Sequence, residues 1–149
     1  MVGVNAGALL ALIARLVLAW VFISAGLPKV QDPLAFGVAI EGYRVVTGSF
    51  TLWAAVILPW LELIIGVGLL TPWLRRASAG IMTLLLILFI VLHASAWIRG
   101  LDITCGCFGK NAGSPDYHWL ILRNIALLLV SVFILRNSLR NKKTGERSL

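Results

Sequence analysis

Four long apolar stretches dominate this chain, at about residues 7–27, 50–70, 77–98 and 119–135. Each is long enough, or nearly so, to cross a hydrocarbon core of about 30 Å as a helix. Helix is the conformation they require there, because a single segment in lipid must satisfy its own backbone donors and acceptors. The remaining composition agrees: 60% of the 149 residues are apolar and 13% charged, and the mean hydropathy is +0.95. An ordinary soluble domain carries about 25% charge. A globule of this size could not hide that much apolar surface, which excludes a soluble enzyme and a disordered regulator. The expected fold is all-α, a single integral membrane four-helix bundle.

The breaks between the stretches are polar or contain turn formers, and Trp53, Trp73, Trp97 and Trp119 sit at span ends. Tryptophan favours that level because its ring is apolar and its N–H is polar. The first stretch reads as a retained helix rather than a signal peptide. Residues 1–6 carry no basic residue, and the apolar run is too long and contains Arg15. With four spans both termini share a side with the 71–76 connection. That side holds seven Lys and Arg residues against four on the other. The bias puts the termini in the cytoplasm, with residues 136–149 as a basic cytoplasmic tail and the other two loops outside, as in a bacterial inner-membrane protein. A basic tail beside a membrane accounts for the net charge of +7 without a nucleic-acid partner.

The first outer loop predicts a short amphipathic helix. Asp32-Pro33 supplies an N-cap and a proline at the first helical position. Leu34, Val38, Tyr43 and Val46 follow at helical spacing as a packing face, and Gly48 is placed to end the helix.

Of nineteen charged side chains, only Arg15, Glu62 and Arg123 fall within the expected spans. Intramembrane charges are costly and face a bundle interior or a polar cavity. Arg15 and Glu62 each lie eight residues, about 12 Å, from the same end of their spans. That predicts a buried ion pair, either a clasp between the first two spans or part of a mechanism, with Pro59 loosening the helix one turn away. Arg123 and His93 fall about 6–8 Å below the opposite surface, and Lys29 sits just past the first span at that same mouth. Singly these read as snorkelling or satisfied side chains. Together they can support a redox site or hold a cofactor. Gly66, Gly68 and Gly80 permit close helix contacts.

The two cysteines, Cys105 and Cys107, are separated only by Gly106, on the side expected to be outside and disulfide-permissive. A disulfide between them would close a very small ring, so it would constrain little chain entropy and be strained and labile. A structural staple is therefore disfavoured. Neighbouring cations would favour the reactive thiolate. Two thiolates with His93 or His118 could instead hold copper or zinc. Spacing and compartment favour the redox reading, on which no metal is expected.

Several runs resemble the DoxX-like membrane proteins: Ala14-Arg15-Leu16, Ser24 to Val30, and Leu58 to Gly66. Arg99-Gly100, Cys105-Gly106-Cys107-Phe108-Gly109 and Arg123-Asn124 are similar to the MauE branch, the methylamine-utilisation proteins. The resemblance covers about Ala14 to Leu135. It implies a four-helix inner-membrane protein that acts in maturing disulfide-containing periplasmic proteins beside a thioredoxin-like partner. It also implies Cys105 and Cys107 as the redox pair, with Arg15, Lys29, Glu62 and Arg123 lining the bundle. The function expected is that of a membrane thiol–disulfide oxidoreductase. With no second cysteine pair to relay electrons, a membrane quinone is the economical acceptor, supported by Lys29, His93 and Arg123. A soft-metal binding or transport protein and a non-catalytic membrane scaffold for a partner oxidoreductase are the alternatives.

Overall fold

The computed structural model describes residues 6–101 and 116–146, with side chains over 7–101 and 116–139. Among the described residues five helices follow in chain order: α1 (Ala6–Gln31), α2 (Pro33–Gly42), α3 (Ser49–Leu70), α4 (Arg75–Ile98) and α5 (Tyr117–Glu146). α1, α3, α4 and α5 are each long and apolar enough to span a membrane. They stand as a square in the order α1, α3, α4, α5, and the diagonal pairs make no close backbone approach among the described residues. The protein is a multi-pass membrane helix bundle. Its perimeter is a belt of exposed apolar side chains, among them Trp20, Leu52, Ile64, Leu84 and Leu129. In water such a surface would drive aggregation, whereas in lipid it is solvated. Trp53, Trp73, Trp97 and Trp119 are all exposed near helix ends.

The helices outrun the apolar stretches. α1 continues through Pro28 to Gln31, so Lys29 lies in its last turn rather than beyond it. α5 continues to Glu146, so most of the basic tail is an extension of that helix. Pro28 does not stop α1 where its apolar run ends, and α5 meets no proline or glycine at the end of its own run.

α2 begins as its cap predicts, with Asp32 Oδ1 accepting from the Ala35 N–H at 3.0 Å. It ends six residues earlier than expected. Arg44 takes a left-handed φ of 51° and its N–H donates to Glu41 O, which turns the chain. Gly48, at φ 67°, precedes α3 as its N-cap instead of closing α2. The packed face also differs. Leu34 and Val38 are exposed, while Gly37 is buried against Ala55 and Thr51 of α3. A glycine on the inner face lets α2 lie directly on α3, which turns the larger residues at 34 and 38 outward.

Glycine also sets the contact between α1 and α3. A Cβ at Gly26 would stand 3.1 Å from Pro59 O, and one at Gly66 2.9 Å from Ile23 Cγ1. Gly68 similarly admits Ser78 of α4, whereas nothing lies within 4 Å of a Cβ at Gly80. α4 and α5 are joined at mid-height by polar contacts: Thr83 Oγ1 and Ser131 Oγ are 2.9 Å apart, and both hydroxyls reach Ala79 O. In a lipid-solvated bundle such contacts hold register where no hydrophobic driving force between helices exists. Leu18, Phe22, Ile65, Leu69, Met82 and Leu86 form the central core. This plug separates the polar groups at one end of the bundle from those at the other.

Candidate functional site

Lys29 and Glu62 meet inside the bundle, between the last turn of α1 and the middle of α3. Lys29 Nζ lies 2.7 Å from Glu62 Oε1 and 2.8 Å from Oε2, and the two side chains are 3% and 2% exposed. The expected partnership of Glu62 with Arg15 is not formed. Arg15 lies fourteen residues before Lys29, about 21 Å along the helix, and its Nε donates to Ala11 O at 2.8 Å. The physical reason is register. The close approaches at Gly26 and Gly66 slide α1 along α3 until Lys29 is level with Glu62 and Arg15 is level with the α3–α4 connection. Equal distance from the ends of two apolar runs is a poor guide when one helix extends well beyond its run.

The pair sits among aromatic rings. Lys29 Nζ is 4.9 Å from the centre of the Phe36 ring and 5.6 Å from that of Phe89. An ammonium facing two aromatic rings gains from their quadrupoles while water is excluded. Above it His93, 3% exposed, places Nδ1 2.5 Å from Phe89 O and Nε2 3.4 Å from Tyr43 Oη. A carbonyl oxygen only accepts, so Nδ1 carries the proton and donates to it. In the neutral ring Nε2 is then the acceptor, and the Tyr43 hydroxyl donates to it. Arg99 Nη1 donates to Tyr43 O at 3.0 Å, tying the end of α4 to the turn after α2.

Two adjoining cavities share these groups. One lies within the bundle, about 50 Å³, and is lined by Lys29, Glu62, His93, Arg123, Asn124 and apolar neighbours. That volume suits a few water molecules. The other, about 220 Å³, lies under α2 and is lined mainly by apolar side chains, including Phe36, Ile40, Val46, Leu58 and Leu92, with Tyr43 at its edge. Lys29, Phe89 and His93 line both. The structure thus gathers Lys29, His93 and Arg123 at one end of the bundle, as their depths predict. Tyr43 was expected on the packing face of the short outer helix, whereas Asn124, which is buried, and the rings of Phe36 and Phe89 were not anticipated there. The Asp32-Pro33 start could have located Phe36 as well, since it fixes that helix in the chain.

Cys105 and Cys107 lie outside the described residues. The chain leaves the bundle at Leu101 and returns at Asp116, on the end that holds the two cavities. The Tyr117 hydroxyl donates to Leu101 O, which joins the two edges of that connection. His118 is exposed, its ring edge-on to Trp97 at 4.7 Å and its Nδ1 3.8 Å from Asp116 Oδ1.

Residues 7–136 match the family described as Methylamine utilisation protein MauE. Relatives carrying that name are 31% identical over 121 residues in Paracoccus denitrificans and 31% over 128 residues in Methylophilus methylotrophus. These matches cover 80% and 83% of this chain and 65% and 66% of the relatives. A third, from Methylorubrum extorquens, is 33% identical over 110 residues, covering 72% of this chain and 59% of the relative. The chain therefore spans just under two thirds of the length of the curated relatives it matches. No solved structure matches the chain. A four-span bundle that matches one family profile along almost its whole length establishes that this chain belongs to the MauE family of membrane proteins.

Proposed function

We propose that this protein is a membrane thiol–disulfide oxidoreductase that passes electrons from a thioredoxin-like partner to a membrane quinone through Cys105 and Cys107. The curated relatives are named for methylamine utilisation. In such a system the role proposed here is redox maturation of a protein rather than chemistry on the amine. The observation that carries the reading is the sharing of Lys29 and His93 between the apolar cavity and the polar one, at the end where the cysteine segment joins the bundle.

The residues present suit a quinone headgroup. The cavity of about 220 Å³ has room for a single ring with apolar walls, and its polar groups are confined to Lys29, His93 and Tyr43. In the proposed cycle a partner thiolate attacks one sulfur of the Cys105–Cys107 disulfide and expels the other as a thiolate. The partner's second thiol then resolves the mixed disulfide. The partner gains a disulfide, and the protein holds two thiols. Re-forming the disulfide releases two electrons and two protons, which a quinone takes up as quinol. Lys29 would stabilise negative charge on an oxygen at the cavity wall, and His93 would hold a transferable proton at Nε2 when its ring is charged. Tyr43 orients that nitrogen. With the termini cytoplasmic, the cysteine segment faces the periplasm of a bacterial inner membrane.

The test is quinone reduction by the purified full-length protein, followed by absorbance, with a reduced thioredoxin-like donor. Turnover that disappears in both Cys105→Ser and Cys107→Ser, in metal-free protein, supports the proposal. Stoichiometric copper or zinc that is lost in both variants overturns it in favour of a soft-metal protein. Partner maturation in cells that survives both substitutions overturns it in favour of a scaffold.

A further inference from the structure

The opposite end of the bundle holds a third cavity, larger than the other two and of different character. It measures about 470 Å³ and lies between the first half of α1, the start of α4 and the later part of α5. Its polar lining is Arg15, Arg75, Asn137 and Ser138, with Ala11 and Phe133 among its apolar walls. Both arginines fall within candidate membrane spans. Among the described side chains no carboxylate lines this cavity. Arg15 spends its Nε on Ala11 O, and the buried Nε of Arg75 has no hydrogen-bond partner among the described residues.

Two like charges in one cavity repel each other. A fold that keeps them together with no carboxylate among the described side chains is complementary to an added anion. Arg75 opens α4, and that helix has no side-chain N-cap. The positive end of its dipole therefore adds to the same potential. Guanidinium groups match phosphate oxygens in a planar, two-point fashion. Arg75 is the first residue of its span, which puts the mouth at headgroup level. Phe133 and Leu129, both exposed on α5, continue an apolar surface away from it along which an acyl chain can lie.

We propose that this cavity binds the phosphate of an anionic phospholipid, held by Arg15 and Arg75 with Asn137 and Ser138 completing its hydrogen bonds. The site is separate from the quinone cavity and does not rest on the redox reading. A basic pocket between spanning helices is a recognised form of lipid headgroup site.

Native mass spectrometry of the delipidated full-length protein, titrated with phosphatidylglycerol or phosphatidylcholine, tests this. The wild type is expected to retain phosphatidylglycerol at least tenfold better. Arg75→Gln and Arg15→Gln should each weaken that retention about fivefold, the worth of one basic residue at an anionic surface. Arg75→Lys should keep part of it, and a thermal melt establishes that each variant is folded. If Arg15→Gln does not fold, the Arg75→Gln and Arg75→Lys pair decides the matter. Equal retention of the two lipids, or retention indifferent to Arg75→Gln, overturns the proposal. Inorganic phosphate that binds in millimolar titration without any preference for phosphatidylglycerol also overturns it, and identifies a free-anion site.

Discussion

Lys29 Nζ bonds both carboxylate oxygens of Glu62, at 2.7 and 2.8 Å, with both side chains almost wholly buried. Removing one partner of such a pair leaves an uncompensated charge, which costs about 3–5 kcal/mol in buried settings. Glu62→Gln and Lys29→Met should each lower the thermal midpoint and yield in detergent. The double variant should recover a large part of the loss, because it removes both charges. An Arg15→Glu, Glu62→Arg exchange should give no rescue, since Arg15 is level with the α3–α4 connection. A double-mutant cycle in thermal melts reads both outcomes.

When its ring is charged, His93 would offer the proposed mechanism a proton at Nε2 while Nδ1 stays anchored on Phe89 O. His93→Phe should leave the helical content unchanged and lower quinone reduction by about 10²–10⁴-fold, the usual worth of a general acid. Tyr43→Phe keeps the ring that lines the cavity and removes only the hydroxyl, so its effect should be smaller, and a kcat comparison of the two variants checks the order.

Gly26 and Gly66 set how near α1 comes to α3. Gly66→Val places methyl groups against Ile23 and the backbone of Ala19, and overpacking of this kind costs about 1–3 kcal/mol. Gly26→Val should do the same and displace Lys29 from Glu62. At Gly80 a Cβ meets nothing within 4 Å. Gly80→Ala should therefore be neutral or raise stability by about 0.5–1 kcal/mol, through the lower conformational entropy cost in a helix. Thermal melts of the three variants side by side test the contrast.

Membrane-impermeant thiol reagent applied to right-side-out vesicles should label Cys105 and Cys107 only after reduction. Labelling confined to inverted vesicles would reverse the proposed orientation. A thioredoxin-like partner lacking its second thiol should attack the intact Cys105–Cys107 disulfide and stay attached as a mixed disulfide, freeing the other cysteine as a thiol. Non-reducing electrophoresis detects the adduct, and peptide mapping of it shows which sulfur is attacked.

Much of the bundle was legible in the chain because lipid leaves a spanning segment only one way to satisfy its backbone alone. Four apolar runs therefore meant four helices, and Asp32-Pro33 meant a helix between the first two. The depth of Arg123 and His93 was legible too, since a rise of about 1.5 Å per residue turns position into height. Where α2 ends was not, because both Gly48 and the turn at Arg44 can stop a helix, and the packing of Gly37 on α3 selects the earlier one.

The sequence by itself determined the class of fold, the number of spans, the level of each polar group within its own helix and the family. Tertiary structure decided which groups at those levels meet. Glu62 pairs with Lys29 rather than Arg15 because glycine contacts fix how far α1 slides along α3, and nothing in the apolar pattern encodes that slide. The same register leaves Arg15 beside Arg75 at the other end of the bundle. One translation of a helix thus created both the buried ion pair and the cavity with two arginines.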